Sequence, residues 1–194
     1  MKYITVNKDL IHIPQSKSAN MEAVLLYYIR TKCNKECVSA IGEKKMQEEL
    51  NLSESTVEGY IGKLKKYKSI LSIKTLNPNN EEDKKEIDKV LGVPYEGDKR
   101  KKNLYYFHEP ERFYFLNPQF IYRTDIENEI KGFLIRLACL CDIGTTKIYT
   151  PNCRKEKANI KSIADNLKMS RGKVKSSLSR CEDLGLIRAI PRGY

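Results

Sequence analysis

The chain lacks most of the residue patterns on which enzymes depend. Its only histidines, His12 and His108, form neither a His-Glu-x-x-His motif nor a His-hydrophobic-His pair. Such patterns bind catalytic metals, so a zinc hydrolase and a nicking replication protein are both disfavoured. The sequence also lacks a Gly-x-x-x-x-Gly-Lys-Ser/Thr phosphate loop and a Gly-x-Ser-x-Gly nucleophile turn. We therefore expect no enzymatic activity and no cofactor.

Long apolar segments are missing as well. No uninterrupted apolar run is long enough to span a bilayer, which argues against an integral membrane protein. The first residues, MKYITVNKDLIHIP, contain neither an apolar signal region nor a small-residue cleavage site, so we expect no secretory signal. We expect a cytoplasmic protein that does not bind a membrane.

The six cysteines fit a reducing compartment if their thiols stay free. A zinc site would need two closely spaced pairs, such as two Cys-x-x-Cys motifs. Cys33 and Cys37 are four positions apart, and Cys139 and Cys141 are two apart, so the spacing does not match. We expect no metal site.

Positive charge is abundant. The 194 residues include 36 lysines and arginines against 25 aspartates and glutamates, a formal net charge of +11. A balance of this kind favours a polyanionic partner such as nucleic acid.

The stretch from Ile163 to Ile187 has apolar residues at helical spacing on either side of a break at Met169-Ser170. Ser170 can accept a hydrogen bond from the free amides of the following turn, which predicts a second helix. Gly185 predicts the end of that helix, and an apolar strand from Leu186 would begin a wing. The apolar set is Ile163, Leu167, Met169, Val174, Leu178, Cys181, Leu184, Leu186 and Ile187.

The skeleton Ile-Ala-x-x-Leu-x-x-Ser-x-x-x-Val-x-x-x-Leu at 163–178, followed by Leu-Gly-Leu-Ile at 184–187, resembles the winged helix-turn-helix of bacterial regulators such as the MarR and GntR families. The resemblance covers about two dozen residues, one helix-turn-helix unit. It implies a DNA-binding fold and does not indicate which regulator.

The outward face of the second helix suits a DNA groove. With Val174, Leu178 and Cys181 turned inward, the outward centre holds small polar residues and Asp183, and cations lie at its sides. Such a helix can enter the major groove while its sides reach phosphates. A solvated basic face on a structural helix is the alternative. The candidate DNA contacts here are Arg171, Gly172, Lys173, Lys175, Ser176, Ser179 and Arg180.

The unit occurs twice. Ser53 and Ser170 lie 117 positions apart, and at this offset seven pairs of positions keep their apolar character. The preceding helix repeats too, which predicts two winged helix-turn-helix modules in tandem, a mainly α fold with small β-wings (α+β). The matched pairs are Met46 with Ile163, Leu50 with Leu167, Leu52 with Met169, Val57 with Val174, Ile61 with Leu178, Leu64 with Cys181 and Ile70 with Ile187.

The two units differ on the outside. Glu54 and Glu58 replace Arg171 and Lys175, and two carboxylates at the front of a helix should repel phosphates. Gly59 and Gly62 lie outward, where each costs about 1 kcal/mol in a helix interior. Their presence suggests close approach by a DNA backbone or another helix. Tyr60, Lys63 and Lys66 remain candidate DNA contacts, beside the alternative that this module serves packing or self-association.

We expect module 1 at residues 1–118, a linker at 119–125 and module 2 at 126–194. Strands at Ser69–Leu76 and Asn103–His108 would form the first wing, with a long insertion at about 77–102 in which Ile87, Val90 and Leu91 could form one helical turn. The basic run Lys99, Arg100, Lys101 and Lys102 at its end could follow a phosphate backbone, as could Arg192 in the second wing; an ordinary charged loop is the alternative.

Two helix starts are predicted from capping residues. Asn20 is expected to cap a helix from Met21 to about Cys33, and Asp125 is expected to cap the helix from Ile126 to Cys141. These two helices precede the repeated units.

The sequence favours selective binding of double-stranded DNA, as a transcriptional regulator or as a replication initiator of a plasmid or phage. The segment FYFLNPQFIYR at 113–123 resembles the strand and Asn-Pro turn that follow this module in some Gram-positive plasmid replication proteins. The alternative is a protein-protein adaptor built on winged helices, with a protein partner or a second copy bound through module 1.

Overall fold

The computed structural model describes residues 3–13, 16–97, 99–141, 148 and 159–188. Over these residues the chain is a mixed α+β protein with eight α-helices and two small antiparallel sheets, which confirms the predicted class in its coarse form. None of the described helices is both long and apolar enough to cross a bilayer. The elements are β1 (Ile4–Asn7), a 3₁₀ helix (Lys8–Ile11), α1 (Ala19–Thr31), β2 (Val38–Ser39), α2 (Glu43–Leu50), α3 (Glu54–Leu64), β3 (Leu71–Leu76), α4 (Glu81–Leu91), β4 (Lys102–Phe107), β5 (Phe113–Leu116), α5 (Gln119–Tyr122), α6 (Asn128–Ala138), α7 (Ile160–Leu167) and α8 (Arg171–Asp183).

The first half of the chain places the helix pair α2–α3 beside a three-stranded sheet. The strand order is β2-β4-β3, and the hairpin β3–β4 pairs Leu71 with Phe107 and Leu76 with Lys102. The hairpin strands lie within two residues of their predicted bounds. A second sheet pairs β1 with β5, with Ile4 opposite Leu116.

The helix pairs α2–α3 and α7–α8 repeat element by element. The first helices of the two pairs, α2 and α7, begin 117 positions apart, at Glu43 and Ile160. The second helices, α3 and α8, begin at the same offset, at Glu54 and Arg171. The turns match as well, because Asn51 and Lys168 both adopt the left-handed conformation, with φ of 52° and 51°. The offset found in the sequence therefore describes a real structural repeat of the helix pairs.

The N-cap residues of the second helices also correspond. The Ser53 side chain accepts a hydrogen bond from the amide of Thr56, and Ser170 accepts one from the amide of Lys173, each at 3.3 Å. Gly185 has φ of 66°, as expected just after a helix. The predicted strand at Leu186 is absent over residues 186–188. Arg192 and the rest of that predicted wing lie outside the described residues.

The insertion between β3 and β4 holds the helix α4, so the prediction of a single turn is wrong. The Asn80 side chain accepts hydrogen bonds from the amides of Glu82 and Asp83, and the acidic first turn suits the positive end of the helix dipole. Ile87 packs with Leu76 and Leu104 in a small core on the hairpin. An apolar contact with the sheet, which local periodicity does not reveal, stabilises the full three turns.

The helices α1 and α6 cross closely and join the two halves. Gly132 of α6 lies directly against the backbone of α1, where a Cβ atom at this position would be 1.9 Å from the carbonyl oxygen of Asn20. Tyr27 and Tyr28 of α1 are fully buried in one core, and Phe133 of α6 is fully buried in the other. Only glycine permits this approach, so the crossing determines how the two helix pairs are placed.

Both predicted helix starts are wrong, for a similar reason. The helix α1 begins at Ala19, with Ser18 before it, so Asn20 lies inside the helix and is buried. The helix α6 begins at Asn128, and the Asp125 carboxylate instead pairs with Arg123. In each case the side chain expected to cap the helix binds another residue instead: Asn20 accepts from Arg136, and Asp125 pairs with Arg123.

The close crossing gives a prediction about glycine substitutions. Gly132→Ala should lower the free energy of unfolding by about 2 to 3 kcal/mol, because the new methyl group must displace the α1 backbone. Gly59→Ala is the matched control, since a Cβ atom there meets nothing within 4 Å. The control should raise the stability by about 0.5 to 1 kcal/mol. Urea unfolding of the three proteins measures both effects, and equal behaviour of the two variants would contradict the role given to Gly132.

Candidate nucleic-acid interface

The helix α8 is attached by one face and open on the other. Val174 and Cys181 are buried in the core formed with α6 and α7, and Ser177 is buried beside them. On the opposite face, the small polar residues predicted to face a groove are all exposed. These residues are Gly172, Ser176 and Ser179.

The cations of α8 form two flanks with different environments. Arg171 and Lys175, four positions apart, are exposed and have no ion pair with any described residue. Lys173 and Arg180, seven positions apart on the other flank, are paired with carboxylates of α6 and its N-cap. The Lys173 Nζ atom lies 3.1 Å from Oε1 of Glu129, and the Arg180 guanidinium donates to Oε1 of Glu127 at 2.8 Å.

These carboxylates belong to the junction between the two halves. The same Oε1 atom of Glu129 accepts a hydrogen bond from the Asn20 side chain of α1 at 2.9 Å. The hydrogen bond from Arg180 lowers the pKa of Glu127 and raises the pKa of Arg180. The side of α8 that faces α6 is therefore neutralised by these carboxylates, whereas no carboxylate in the described ranges pairs with Arg171 or Lys175.

The outer face of α3 also reaches the junction. Lys63 is exposed, and its Nζ atom lies 5.3 Å from the ring centroid of Tyr60 and 2.8 Å from Oγ of Ser18. Tyr60 is half-buried, and burial with the nearby carboxylates of Glu129 and Glu22 raises its pKa. Ser18 and Asn20 are two residues apart, so Lys63 and Lys173 approach the same end of α1.

The front of α3 has the opposite charge. Glu54 and Glu58 are exposed, and Glu43 of α2 lies close enough that burial and these two carboxylates raise its pKa. Gly59 and Gly62 are exposed, with open space where a Cβ atom would be. Packing among the described residues therefore does not explain the two glycines.

Lys66, predicted as a DNA contact, is engaged inside the protein. Its Nζ atom lies 2.7 Å from Oε2 of Glu22, a carboxylate of α1 that is fully buried. The same carboxylate accepts hydrogen bonds from the hydroxyls of Tyr67, Ser18 and Ser16. Burial alone would raise the pKa of Glu22, but these four partners outweigh it and lower the pKa to about 2.

Arg136 of α6 is a second buried charge that sequence reasoning missed. It donates to the side chain of Asn20 in α1 and to the carbonyl oxygen of Leu167 at the end of α7. Burial lowers its pKa. A single arginine on the apolar side of a helix has no local sequence signal. Its position links α1 to the turn that precedes α8.

The basic run of the insertion lies in a different part of the fold. Lys99, Arg100 and Lys101 are exposed between α4 and β4, and the side chain of Asn79 donates to the Lys99 carbonyl oxygen at 3.2 Å. Lys102 is half-buried, with its Nζ atom 4.9 Å from the ring centroid of Tyr95.

No cluster of His, Cys, Asp or Glu suited to a metal ion occurs among the described residues. The five cysteines within those ranges carry free thiols; Cys153 lies outside them. Comparisons of the chain with protein-family models, curated proteins and solved structures gave no match. The site must therefore be interpreted from its own geometry and charge.

The buried carboxylate predicts acid sensitivity. Because the pKa of Glu22 is about 2 in the folded chain against a normal value of 4.5, its stabilising contribution is present above pH 4.5 and is lost as the pH falls towards 2. The shift corresponds to about 3 kcal/mol. The Glu22→Gln variant should be less stable than the wild type at neutral pH. Its free energy of unfolding should also decrease less than that of the wild type as the pH falls from 4.5 towards 2.

Urea unfolding across these pH values measures the effect. Glu36→Gln, which removes an exposed carboxylate, is the control and should keep the wild-type profile. If the free energy of unfolding of Glu22→Gln depended on pH as that of the wild type does, the lowered pKa assigned to Glu22 would be wrong.

Proposed function

We propose that this protein binds double-stranded DNA sequence-selectively and places α8 in the major groove. The observation that carries the proposal is the open face of α8, where Gly172, Ser176 and Ser179 are exposed. Small polar side chains let a helix approach base edges closely and can donate to or accept from them. Arg171 and Lys175 flank this face and have no ion pair within the described part of the chain, which leaves them in position to contact phosphates.

The energetics of α8 support the same proposal. Arg171, Lys173 and Lys175 occupy its first turns, where no acidic residue is present. Cations near a helix N-terminus oppose the helix dipole, at a cost of a few tenths of a kcal/mol each. The open glycine at position 172, in the first turn, adds a further small cost because glycine is a poor helix former. Residues that lower helix stability in this way fit a surface that meets a polyanion.

The proposal includes two biological roles. A transcriptional regulator would bind near a promoter, and a replication initiator of a plasmid or phage would bind repeated sequences at an origin. In both, two linked helix pairs on one chain fit an asymmetric or repeated site. Selection of bound duplexes from a random pool, followed by footprinting on the native DNA, distinguishes the two roles.

An adaptor that binds another protein is the second candidate. The acidic front formed by Glu54, Glu58 and Glu43 favours it, because three neighbouring carboxylates repel a phosphate backbone and could meet a basic protein surface. Capture of a stoichiometric protein partner, with no DNA binding even at low salt, would favour the adaptor over the DNA-binding protein.

The unpaired flank of α8 gives the main test. The double variant Arg171→Ala, Lys175→Ala should bind a selected duplex at least about tenfold more weakly, and the slope of log K against log salt should fall by about 2, because two phosphate contacts are lost. Fluorescence anisotropy between about 50 and 200 mM salt measures both quantities.

The charge-matched control is Lys35→Ala, Lys85→Ala. Both lysines are exposed, and both belong to the first half of the chain: Lys35 follows Asn34, whose side chain donates to the carbonyl oxygen of Val90 in α4, and Lys85 lies in α4. The control should change the affinity and the salt slope little. If both double variants lost affinity equally, the placement of α8 in the groove would be contradicted.

A further inference from the structure

The asymmetry between the two flanks of α8 has a specific structural cause. Residues seven apart lie on one side of a helix, so Lys173 and Arg180 both face the N-terminal turn of α6. Glu127 is the N-cap residue of α6, and Glu129 lies in its first turn. The two carboxylates lie two positions apart at the start of α6, and each pairs with one of the two cations of α8.

The helix that carries the two carboxylates is fixed in the fold. The helix α6 is fixed by the close crossing at Gly132 and by buried Arg136. Glu129 has an additional hydrogen bond from Asn20 of α1. A carboxylate positioned in this way presents the acceptor oxygens that a phosphate would present, and bonds between nitrogen cations and such oxygens have lengths of about 2.7 to 2.9 Å.

The two ion pairs are nevertheless exchangeable. The side chains of Lys173 and Glu129 are 51% and 38% exposed, and those of Arg180 and Glu127 are 46% and 58% exposed. Exposed pairs contribute little to stability, so an incoming phosphate can replace the carboxylate. The cations themselves remain in place because α8 is anchored by its buried face.

We propose that Glu127 and Glu129 compete with DNA phosphates for Lys173 and Arg180. The inference rests on the proposed function and adds a residue-level account of its affinity. The duplex then binds first along the Arg171 and Lys175 flank, and it gains the second flank only by displacing the two carboxylates. Glu127 and Glu129 therefore limit the affinity of α8 for any duplex and make its contacts one-sided.

The test neutralises the carboxylates without changing their shape. Glu127→Gln, Glu129→Gln should bind the selected duplex about three- to tenfold more tightly, because two cations become available to phosphates. The salt slope should steepen by about 1 to 2 for the same reason. Anisotropy titrations over the same salt range give both quantities.

A matched control separates this effect from net charge. Glu109→Gln, Glu111→Gln also removes two negative charges, from exposed residues in the connection between β4 and β5. It should tighten binding less than about twofold, since long-range charge effects are screened by salt. An equal gain in both double variants overturns the inference.

A double-mutant cycle tests the mechanism. In a chain with Lys173→Ala and Arg180→Ala, the two glutamine substitutions should have no further effect on affinity, because the cations they release are absent. A gain that persists in this background overturns the proposal. Glu127→Gln alone is the second variant, since Glu127 contacts Arg180 and leaves the Glu129–Asn20 bond intact; it should give part of the gain.

The outcomes distinguish the two levels of the proposal. A wild-type chain that binds no duplex at low salt overturns the proposed function and this inference together. A chain that binds, and is weakened by Arg171→Ala, Lys175→Ala, but is not tightened by the glutamine pair, retains the proposed function and loses only the competition by Glu127 and Glu129.

Discussion

The crossing of α1 and α6 at Gly132 is the contact on which the rest of the structure depends. Each of these helices carries its own helix pair, and the crossing is the place where the two cores meet. Because the α6 backbone lies against the α1 backbone without a side chain between them, the two helices have little freedom to slide or rotate. The relative position of α3 and α8 follows from this single contact.

Two buried charges lie beside the crossing and make it specific. Glu22 of α1 is bound to Lys66 and Tyr67 after α3, and Arg136 of α6 reaches Asn20 of α1 and the end of α7. Burying a charge is costly unless it is paired and hydrogen-bonded. The Nε atom of Arg136 has no hydrogen-bond partner among the described residues. The contacts of its other nitrogen atoms, like those of the Glu22 carboxylate, form only when these segments meet in the observed arrangement, so a shifted packing would lose them. The polar network thus favours one arrangement over others of similar apolar burial.

The features with a local cause could be predicted from the sequence. Apolar periodicity and the serine N-caps located α2, α3, α7 and α8, and the offset of 117 relates the start of α2 to that of α7 and the start of α3 to that of α8. The features set by distant partners could not be predicted. Asn20 has the chemistry of a cap, yet Arg136, more than a hundred residues away, holds it inside a helix. Lys66 looked like a free surface cation because nothing near it in sequence indicates its pairing with Glu22.

The two helix pairs differ chiefly at exposed positions, which do not take part in the packing of the core. Matched inward positions such as Val57 and Val174, or Leu64 and Cys181, are buried in both. The outward positions Glu54 and Arg171 have opposite charge, and both are exposed. Since exposed substitutions change stability little, one scaffold can carry an acidic and a basic helix face. Surface charge therefore distinguishes the two helix faces, and internal partners such as Glu127 and Glu129 pair with part of the charge on α8.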